Sequence, residues 1–393
     1  MNKSEFNLES KVTNSLKFAI IHAFFVVKGG GEKLILQIRD HYNADLYTGA
    51  LDSKIWDKNN INNDSFSKQL FSGPGKFVYL HEDSKIPIWR KIQRQLAFLL
   101  NKKINDLKNY DVVIFSGNIG IVPFRLRNAK TKLVVYCHTP PRPFTDQLAS
   151  NLAKYPFWFR PFANLFAKIV VWQYRQDMLK MDLIISNSEN TQKRLKDYVG
   201  IDSKVIFPAV ETERFTFLGQ QDYYISHSRL EPLKRTELII EAFAKMPDKK
   251  LVVCSTGPLK DWVKNTIKER NLTNITFEGL VTDERLNYLV GNCIAGITIP
   301  INEDAGITQC EIMSAGKPVI GVAEGALVDT IIDGKTGVLI PANPTVEDLI
   351  KAVKEMTPEK AFKMREASRQ QSLQFSSENF FKKMDEMIGE LFE

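Results

Sequence analysis

The chain has 393 residues, of which 44% are hydrophobic and 25% are charged. A chain of this size buries roughly three quarters of its unfolded surface, but not around a single core, so we expect two domains. The formal net charge of +7 is unevenly divided, because residues 1–208 carry +13 and residues 209–393 carry −6. This excess suggests attraction of the N-terminal half to phosphate-bearing acceptors or an anionic membrane, although lysines spread over a solvated surface would give the same count. The basic residues are scattered and no recognition module is present, which argues against nucleic acid as a partner.

The cysteines and the apolar runs indicate the compartment. The four cysteines, Cys137, Cys254, Cys293 and Cys310, lie far apart and form no Cys-x-x-Cys pair. We therefore expect reduced core residues of a cytosolic protein, not zinc ligands or a disulfide framework. The segment Met1–Lys17 is polar and lacks the apolar region of a signal peptide. No apolar run approaches the ~20 residues that span a bilayer, so we expect a cytoplasmic protein, soluble or peripheral on the inner face of the cell membrane.

Short apolar or β-branched runs alternate with helical patterns, which is typical of parallel α/β layers. In the first half, the predicted strands are Leu16–Ile21, Ala44–Thr48, Phe77–Leu80, Asp111–Phe115, Leu133–Tyr136 and Leu183–Ser186, and the predicted helices are Glu32–His41, Pro87–Leu107 and Pro161–Met181. In the second half, the predicted strands are Tyr223–Ser226, Lys250–Cys254, Ile275–Glu278, Ala295–Pro300, Pro318–Val322 and Gly337–Ile340, and the predicted helices are Arg235–Lys245, Leu259–Arg270 and Asp283–Val290. This order predicts an α/β fold of two Rossmann-like doubly wound domains, with ligands at the carboxyl ends of the strands.

The boundary between the two domains is predicted in Pro208–Gln221, a stretch of turn residues with little periodicity. The first Rossmann-like domain is predicted over residues 1–208 and the second over residues 209–375. Residues 376–393 form an amphipathic helix, whose apolar face contains Phe380, Phe381, Met384, Met387 and Leu391.

The aromatic segment Tyr155–Trp172 has two interpretations. Amphipathic segments that are rich in aromatic residues and flanked by Arg and Lys lie in membrane interfaces. The core packing of a long helix accounts for the same residues. The sequence leaves both interpretations open.

A polar loop in the first half suggests contacts with a sugar. His138 ends an apolar strand and precedes Thr-Pro-Pro, which cannot continue in regular structure, so its side chain can hydrogen-bond a sugar hydroxyl. A triple-glycine turn that contains Gly30 and Gly31 follows the first strand and lets the backbone approach a diphosphate. His22 and Lys28 flank this turn as lesser candidates. An isolated histidine is more often structural, which is the alternative for His138.

In the second half, Arg229 and Lys234 follow the first strand and can supply two fixed positive charges to a diphosphate. The alternative is a pair of cations that simply faces solvent at a strand end. Many enzymes that transfer sugars neutralise the diphosphate with a metal held by Asp-x-Asp, and the chain contains no such motif. We therefore expect no metal and no cofactor.

Two carboxylates, Glu303 and Glu311, flank a Gly-Ile-Thr turn that follows an apolar strand. Glu303, at the strand end, can accept hydrogen bonds from sugar hydroxyls. The amides of Gly306, Ile307 and Thr308 can face a diphosphate, because helix N-termini bind anions. Glu311, further into that helix, can reach a ribose diol. Taken alone, the segment also fits a surface loop before an ordinary helix.

These four segments resemble the motifs of retaining glycosyltransferases of family 4, which have the GT-B fold. Glu303–Glu311 resembles the Glu-x7-Glu signature, and Ser228–Arg235 resembles the Ser-Arg…Lys element that holds the donor diphosphate. His138–Arg142 resembles the active-site His loop, and Gly29–Glu32 resembles the N-terminal glycine loop. The resemblance extends along nearly the whole chain. It is closest to bacterial mannosyltransferases that build O-antigen and similar surface polysaccharides.

The resemblance implies a metal-independent retaining glycosyltransferase with an active site in the cleft between the two domains. The implied catalytic residues are His138, Glu303, Arg229 and Lys234. The implied donor-binding residues are Gly30, Gly31, Arg229, Lys234, Gly306, Ile307, Thr308 and Glu311. The helix over residues 376–393 would return to pack on the N-terminal domain. The first donor expected is GDP-mannose, and the partners expected are a glycan or polyprenyl-diphosphate-linked glycan acceptor and an anionic membrane surface.

Two departures from the family pattern concern the donor sugar. Ala305 stands where an aromatic residue or Gly is usual, and Gln309 stands where Pro is common. Two other classes of protein stay open at this point. One is a nucleotide-sugar epimerase or a phosphorylase of similar fold, and the other is a nucleotide-sugar-binding, non-catalytic subunit of a polysaccharide assembly complex.

Overall fold

The computed structural model describes residues 15–58, 65–82, 98, 101–117, 126 and 130–393. The chain divides into two compact units. One unit comprises Met1–Phe207 together with Phe381–Glu393, and the other comprises Pro208–Phe380. Each unit contains its own parallel sheet.

The first unit contains a seven-stranded parallel sheet in the order β3-β2-β1-β4-β5-β6-β7. The strands are β1 (Phe18–Phe25), β2 (Asp45–Leu51), β3 (Phe77–Glu82), β4 (Val112–Ser116), β5 (Lys132–Cys137), β6 (Leu183–Ser186) and β7 (Lys204–Val205). The helices before residue 208 include α1 (Gly30–Tyr42), α2 (Ser65–Ser72), α3 (Leu148–Ala153), α4 (Arg160–Met178) and α5 (Glu189–Arg194).

The second unit contains a six-stranded parallel sheet in the order β10-β9-β8-β11-β12-β13. The strands are β8 (Tyr224–Ser226), β9 (Leu251–Cys254), β10 (Ile275–Gly279), β11 (Gly296–Ile297), β12 (Val319–Val322) and β13 (Gly337–Ile340). The helices are α6 (Thr236–Ala244), α7 (Lys260–Glu269), α8 (Asp283–Asn292), α9 (Ile307–Ser314), α10 (Leu327–Thr330), α11 (Val346–Glu355), α12 (Pro358–Lys363) and α13 (Arg365–Leu373).

The last helix, α14 (Ser377–Gly389), provides the residues from Phe381 onward that group with the first unit. Phe381 stacks on His41 of α1, with ring centroids 4.0 Å apart. Asp385 accepts a hydrogen bond of 2.9 Å from the Tyr42 hydroxyl and lies 3.2 Å from Nε2 of His41. Aromatic stacking and a charged hydrogen bond therefore hold the end of the chain on α1.

The central strands are apolar because helices cover both faces of a parallel sheet. In β1, seven of eight residues are buried, and all five residues of β4 are buried. The strand order reverses between β1 and β4 in the first sheet and between β8 and β11 in the second. Crevices that bind ligands form at the carboxyl ends of strands at such points. The predicted fold, two Rossmann-like domains, is confirmed.

All twelve predicted strands are present, with ends that shift by a few residues. The two-residue strand β7 was missed, because so short a run has no readable alternation. Of the predicted helix Pro87–Leu107, residues 87–97, 99 and 100 lie outside the described residues, and a 3₁₀ segment occupies Lys102–Asn109. Most of the polar segment Met1–Lys17 also lies outside them.

The interpretation of Tyr155–Trp172 as core packing is wrong. Phe157, Trp158, Phe162 and Trp172 expose 81%, 63%, 68% and 60% of their surface. Helix α4 instead buries a different face, which contains Ala167, Tyr174 and Met178. Within the described part of the chain, no helix is both long enough and apolar enough to cross a membrane.

The four cysteines are buried, and none of them forms a disulfide. Burial raises the pKa of the Cys254 and Cys293 thiols to about 12. The thiolate is the reactive form of cysteine, so these side chains pack as small apolar groups.

Candidate functional site

In the second unit, a lysine and a carboxylate meet at adjacent strand ends. Lys234 lies in a 3₁₀ turn, Pro232–Lys234, that follows β8. Its Nζ donates a hydrogen bond of 2.6 Å to Oε2 of Glu303, in the loop after β11. The two side chains expose 23% and 19% of their surface, so the pair is partly shielded from water but open to a ligand. The structure thus joins two residues that the sequence predicted separately.

Arg229 is the more exposed of the two predicted cations. Its side chain is 55% exposed, and its Nε lies 2.8 Å from Oε1 of Glu231. Exposed ion pairs of this kind typically contribute less than about 1 kcal/mol, because water screens the charges. The guanidinium can therefore turn toward a more highly charged anion at little cost.

The backbone of Glu303 is fixed by a close approach to Gly325. Gly325 has a φ of +62°, and an added Cβ would lie 2.4 Å from the amide nitrogen and 2.7 Å from the carbonyl oxygen of Glu303. The amide of Ala326 donates a hydrogen bond of 3.0 Å to that carbonyl. Only glycine combines this φ with this contact, so the turn after β12 sets the position of Glu303.

Helix α9 begins at Ile307, and its N-cap is Gly306, whose φ of +68° favours glycine. The first amides of a helix have no acceptor inside it, so those of Ile307 and Thr308 can donate to an anion, as the sequence predicted. Gln309 is fully buried and donates hydrogen bonds to Ala305 O (3.3 Å) and Thr330 Oγ1 (3.1 Å). The residue that departs from the family pattern therefore braces the start of α9 against α10.

Glu311 has a partner that the sequence did not reveal. Its Oε2 lies 3.1 Å from Nε2 of His227, which follows β8 directly and whose side chain is only 4% exposed. A buried histidine thus orients the carboxylate predicted to bind a ribose diol. The only sequence signal was a polar residue between the strand and Ser228, which does not by itself identify a partner.

In the first unit, three polar side chains meet at the ends of three neighbouring strands. His22 lies in β1, Ser116 ends β4, and His138 follows β5. The Ser116 hydroxyl lies 2.9 Å from Nδ1 of His22 and 2.9 Å from Nε2 of His138. Nε2 of His22 lies 3.8 Å from Oε1 of Glu32. Ser116 and Glu32 were not among the predicted site residues.

The glycine turn lies beside this cluster. Gly30 and Gly31 open α1, and the Gly29 amide donates a hydrogen bond of 3.1 Å to Oε2 of Glu32. A Cβ added to Gly31 would lie 3.8 Å from Cε1 and 3.9 Å from Nδ1 of His138. The structure therefore places the Nδ1 edge of His138 next to the turn.

The cluster keeps His138 uncharged. Burial of the ring and the neighbouring His22 lower the pKa of His138 to about 4, against a smaller opposing effect of Glu32. For Glu32, burial raises the pKa, but the contacts with His22 outweigh it and hold the pKa below its usual value. Near neutral pH, the cluster thus contains a carboxylate and a neutral His138.

The structure thus groups the predicted residues as follows. In the second unit it brings Lys234 to Glu303, and it places Ile307, Thr308 and Glu311 on one short helix with Gly306 as the N-cap. In the first unit it brings Gly31 to His138. Lys28 points elsewhere, with Nζ 5.4 Å from the centroid of the Trp56 ring. Within the part of the chain that the structure describes, no group of three or more His, Cys, Asp or Glu residues could hold a metal ion.

Comparison with known proteins identifies both halves of the chain. The family model "Glycosyltransferase Family 4" matches residues 68–214, and "Glycosyl transferases group 1" matches residues 211–374. The alpha-1,3/1,6-mannosyltransferase ALG2 of Dictyostelium discoideum is 25% identical, over 87% of this chain and 90% of that protein. The alpha-monoglucosyldiacylglycerol synthase of Streptococcus pneumoniae is 25% identical, over 81% of this chain and 77% of that protein. Among solved structures, Anabaena Alr3699/HepE in complex with UDP and glucose has a TM-score of 0.71 at 17% identity, covering 95% of this chain and 99% of that one.

Two glycines with positive φ give a matched test of the Glu303 backbone. Gly325→Ala should lower the free energy of unfolding by about 3 kcal/mol or more, because the new Cβ overlaps the backbone of Glu303. Gly334→Ala has the same strain at φ +71° but nothing within 4 Å of the new Cβ, so we expect a cost of about 1 kcal/mol. Urea unfolding of the two variants measures the difference. Equal losses would show that the Gly325–Glu303 contact is not tight.

His138 should make stability depend on pH. An unfolded histidine takes up a proton below pH ~6.5, whereas the folded His138 stays neutral down to about 4. The free energy of unfolding should therefore decrease as the pH drops from 6.5 to 4. The decrease is at most about 3 kcal/mol, and any solvation of the His138 ring makes it smaller. Melting temperatures of the wild type and His138→Gln between pH 7.5 and 5 test this. The melting temperature of the wild type should fall more than that of the variant as the pH drops. Equal falls would contradict a histidine that stays neutral in the folded protein.

Proposed function

Since this chain belongs to the glycosyltransferases that combine a family 4 domain with a group 1 domain in the GT-B fold, we propose that it transfers mannose from GDP-mannose to a glycan carried on a polyprenyl diphosphate. The observation that carries the proposal is the Lys234–Glu303 pair in the same unit as the opening turn of α9 and Glu311. That arrangement offers positive charge, amide donors and two carboxylates. A nucleotide sugar presents the matching groups, which are a diphosphate and hydroxyls.

The leaving diphosphate is the group that most needs stabilisation. Lys234 and Arg229 carry fixed charges, and the amides of Ile307 and Thr308 add the positive end of a helix. Together they neutralise the charge that develops on the leaving phosphate, so the proposed reaction needs no metal ion. Lys234 already lies 2.6 Å from Glu303, so its position is set before the donor binds.

The carboxylates divide the recognition of the donor. Glu303 accepts hydrogen bonds from hydroxyls of the transferred sugar, and Glu311, held by His227, accepts them from the ribose. In the proposed retaining reaction, the leaving phosphate takes the proton of the acceptor hydroxyl on the same face of the sugar. No side-chain nucleophile is then required. Within the first unit, His138 is proposed as an acceptor for a sugar hydroxyl.

Mannose and the lipid carrier are supported by the relatives. ALG2 is named as a mannosyltransferase, and the streptococcal relative is named for a diacylglycerol product. The net charge of +13 in residues 1–208 suits an anionic acceptor at the cytoplasmic face of a membrane, with about 1 kcal/mol for each basic residue near the headgroups. We propose peripheral attachment to that face.

The donor is tested by thermal shift with GDP-mannose, UDP-glucose and ADP-glucose, because a ligand that binds the native state raises the melting temperature. We expect the largest rise with GDP-mannose, and mannose transfer to a polyprenyl-diphosphate-linked glycan. Transfer from a UDP-sugar alone would overturn the donor assignment but not the reaction class. Conversion of the donor without any acceptor product would favour an epimerase.

Lys234→Ala should lower kcat about 100-fold or more, because a charge aimed at the leaving group acts chiefly in the transition state. Lys245→Ala is the matched control, since Lys245 also pairs with a carboxylate, Glu347, at 2.9 Å but is exposed at the residue that follows α6. Its kcat should be unchanged. EDTA should leave wild-type activity intact. A strict need for Mg²⁺, or near-normal turnover by Lys234→Ala, would contradict the proposed charge stabilisation.

A further inference from the structure

The exposed apolar side chains of the described residues are concentrated in one segment. Ten of 22 large hydrophobic residues with exposed side chains lie between Tyr155 and Leu179. We define the aromatic ridge as Phe157, Trp158, Phe162, Phe166, Ile169 and Trp172, which are 54% to 81% exposed. Single exposed apolar residues are normal in soluble proteins, but a contiguous group marks a binding surface.

The ridge follows one face of a helix whose other face is already packed. Phe162, Phe166, Ile169 and Trp172 recur at spacings of four, three and three, so they point the same way along α4. The buried residues of α4 lie on another face. The apolar character of the ridge is therefore not needed for the core of the first unit.

The charge around the ridge is of one sign. Residues 147–176 contain no Asp or Glu and four basic residues, Lys154, Arg160, Lys168 and Arg175. All four are exposed. Within this stretch, which Asp146 and the buried Asp177 bound, the aromatic face is flanked by cations alone and complements a surface that has anionic groups above a hydrocarbon layer. A bilayer with anionic headgroups has this arrangement.

An apolar groove of ≈ 650 Å³ lies beside the ridge, between α3 and α4. Its lining includes Phe144, Leu148, Leu152, Tyr155, Phe159 and Phe162. The groove can accept a hydrocarbon chain once the ridge has entered the interface.

We propose that the aromatic ridge inserts into the interface of an anionic bilayer, with the groove between α3 and α4 taking a lipid chain. This inference rests on the proposed function for the existence of a lipid-linked acceptor. It adds the surface of the protein at which that acceptor would be reached. Binding itself does not require the donor site. The two ideas can therefore fail separately.

Co-sedimentation with vesicles of phosphatidylcholine alone, or with added phosphatidylglycerol, tests the ridge. The wild type should bind the anionic vesicles and lose binding in high salt. The triple variant Trp158→Ala, Phe162→Ala, Trp172→Ala should bind at least about tenfold more weakly, since each truncation removes apolar area from the interface. Its donor-induced thermal shift and its turnover of a water-soluble acceptor should match the wild type.

Matched controls separate the ridge from general hydrophobicity and charge. Tyr198→Ala, Leu280→Ala and Phe392→Ala together remove three exposed apolar side chains outside the ridge and should leave vesicle binding unchanged. Lys168→Glu with Arg175→Glu should weaken binding to anionic vesicles, whereas Lys264→Glu with Lys363→Glu should not. The proposal is overturned if the wild type ignores anionic vesicles at low salt. It is also overturned if the ridge variant only converts a dimer to a monomer, which would identify a second copy of the chain as the occupant.

A separate observation concerns the chain of polar groups Glu32, His22, Ser116 and His138. The carboxylate oxygen of Glu32 lies 3.8 Å from Nε2 of His22, so when the ring carries a single proton, electrostatic attraction favours that proton on Nε2. Nδ1 of His22 is then bare and accepts the Ser116 hydroxyl proton at 2.9 Å. The Ser116 oxygen in turn accepts from His138, whose Nε2 therefore carries a proton.

The geometry points to a positioning role for Ser116 and His22, which together hold His138 with Nε2 protonated and Nδ1 bare. The bare nitrogen lies on the edge beside Gly31. There it can accept a hydrogen bond from a hydroxyl, as the proposed function requires of His138. The electrostatic influence of Glu32 on His22 thus reaches His138 through the two hydrogen bonds of the Ser116 hydroxyl.

Long-range proton–nitrogen correlation spectra of ¹⁵N-histidine-labelled protein near pH 8 test this, because they distinguish protonated from bare ring nitrogens in each of the five histidines. Wild-type His138 should show a protonated Nε2 and a bare Nδ1. Ser116→Ala should yield a mixture of tautomers and lower kcat more than it raises the donor KM. Ser116→Thr, which keeps the hydroxyl, should restore the single tautomer.

Ser186→Ala is the matched control. Ser186 also ends a strand of the same sheet, is fully buried, and bonds one hydroxyl, Ser203 Oγ, at 2.7 Å. Its loss should cost similar stability and leave the His138 spectrum and kcat unchanged. A protonated Nδ1 on His138 in the wild type would overturn the assignment. So would a Ser116→Ala protein with the wild-type tautomer.

Discussion

Parallel strands end at one edge of their sheet, and every functional contact described above depends on this constraint. In the first sheet, register pairs His22 with Ser116 across β1 and β4, and pairs Ser116 with Tyr136, two residues before His138. The backbone hydrogen bonds of the sheet thus bring three polar side chains together, although His22 lies 94 positions from Ser116 in the sequence. The same constraint joins Lys234, after β8, to Glu303, after β11, which is the neighbour of β8 at the reversal of strand order.

Much of this arrangement could be predicted, because strands and motifs are local patterns. The apolar runs located twelve strands, and the residues that follow them included Lys234, Glu303 and His138. Partners could not be predicted, since they come from distant parts of the chain. His227 beside Glu311 and Ser116 beside His138 are single polar residues at strand ends, and nothing in their local sequence says what they face. Gln309 shows the same limit, because its burial against Thr330 depends on where α10 lies.

The aromatic segment shows a second limit of periodicity. A 3.6-residue pattern reveals that a helix has an apolar face, but not whether that face points inward. In α4, the buried side contains Ala167 and Tyr174, so the larger aromatic residues are left outside. The absence of acidic residues from positions 147–176 is visible in the sequence, and it indicates a membrane-facing surface better than the periodicity does. A protein core selects against charge of either sign, whereas a surface that faces anionic lipid selects only against negative charge.

The two units use electrostatics in different ways. In the second, Lys234 and Arg229 supply positive charge, and the carboxylate of Glu303 holds Lys234 in place. In the first, burial lowers the pKa of His138 so that the ring stays neutral near pH 7, and Ser116 decides which nitrogen is bare. A protonated imidazole has two N–H donors and no acceptor nitrogen. A neutral one keeps one nitrogen as an acceptor, so the depressed pKa of His138 suits the ring to accept a hydrogen bond from a hydroxyl.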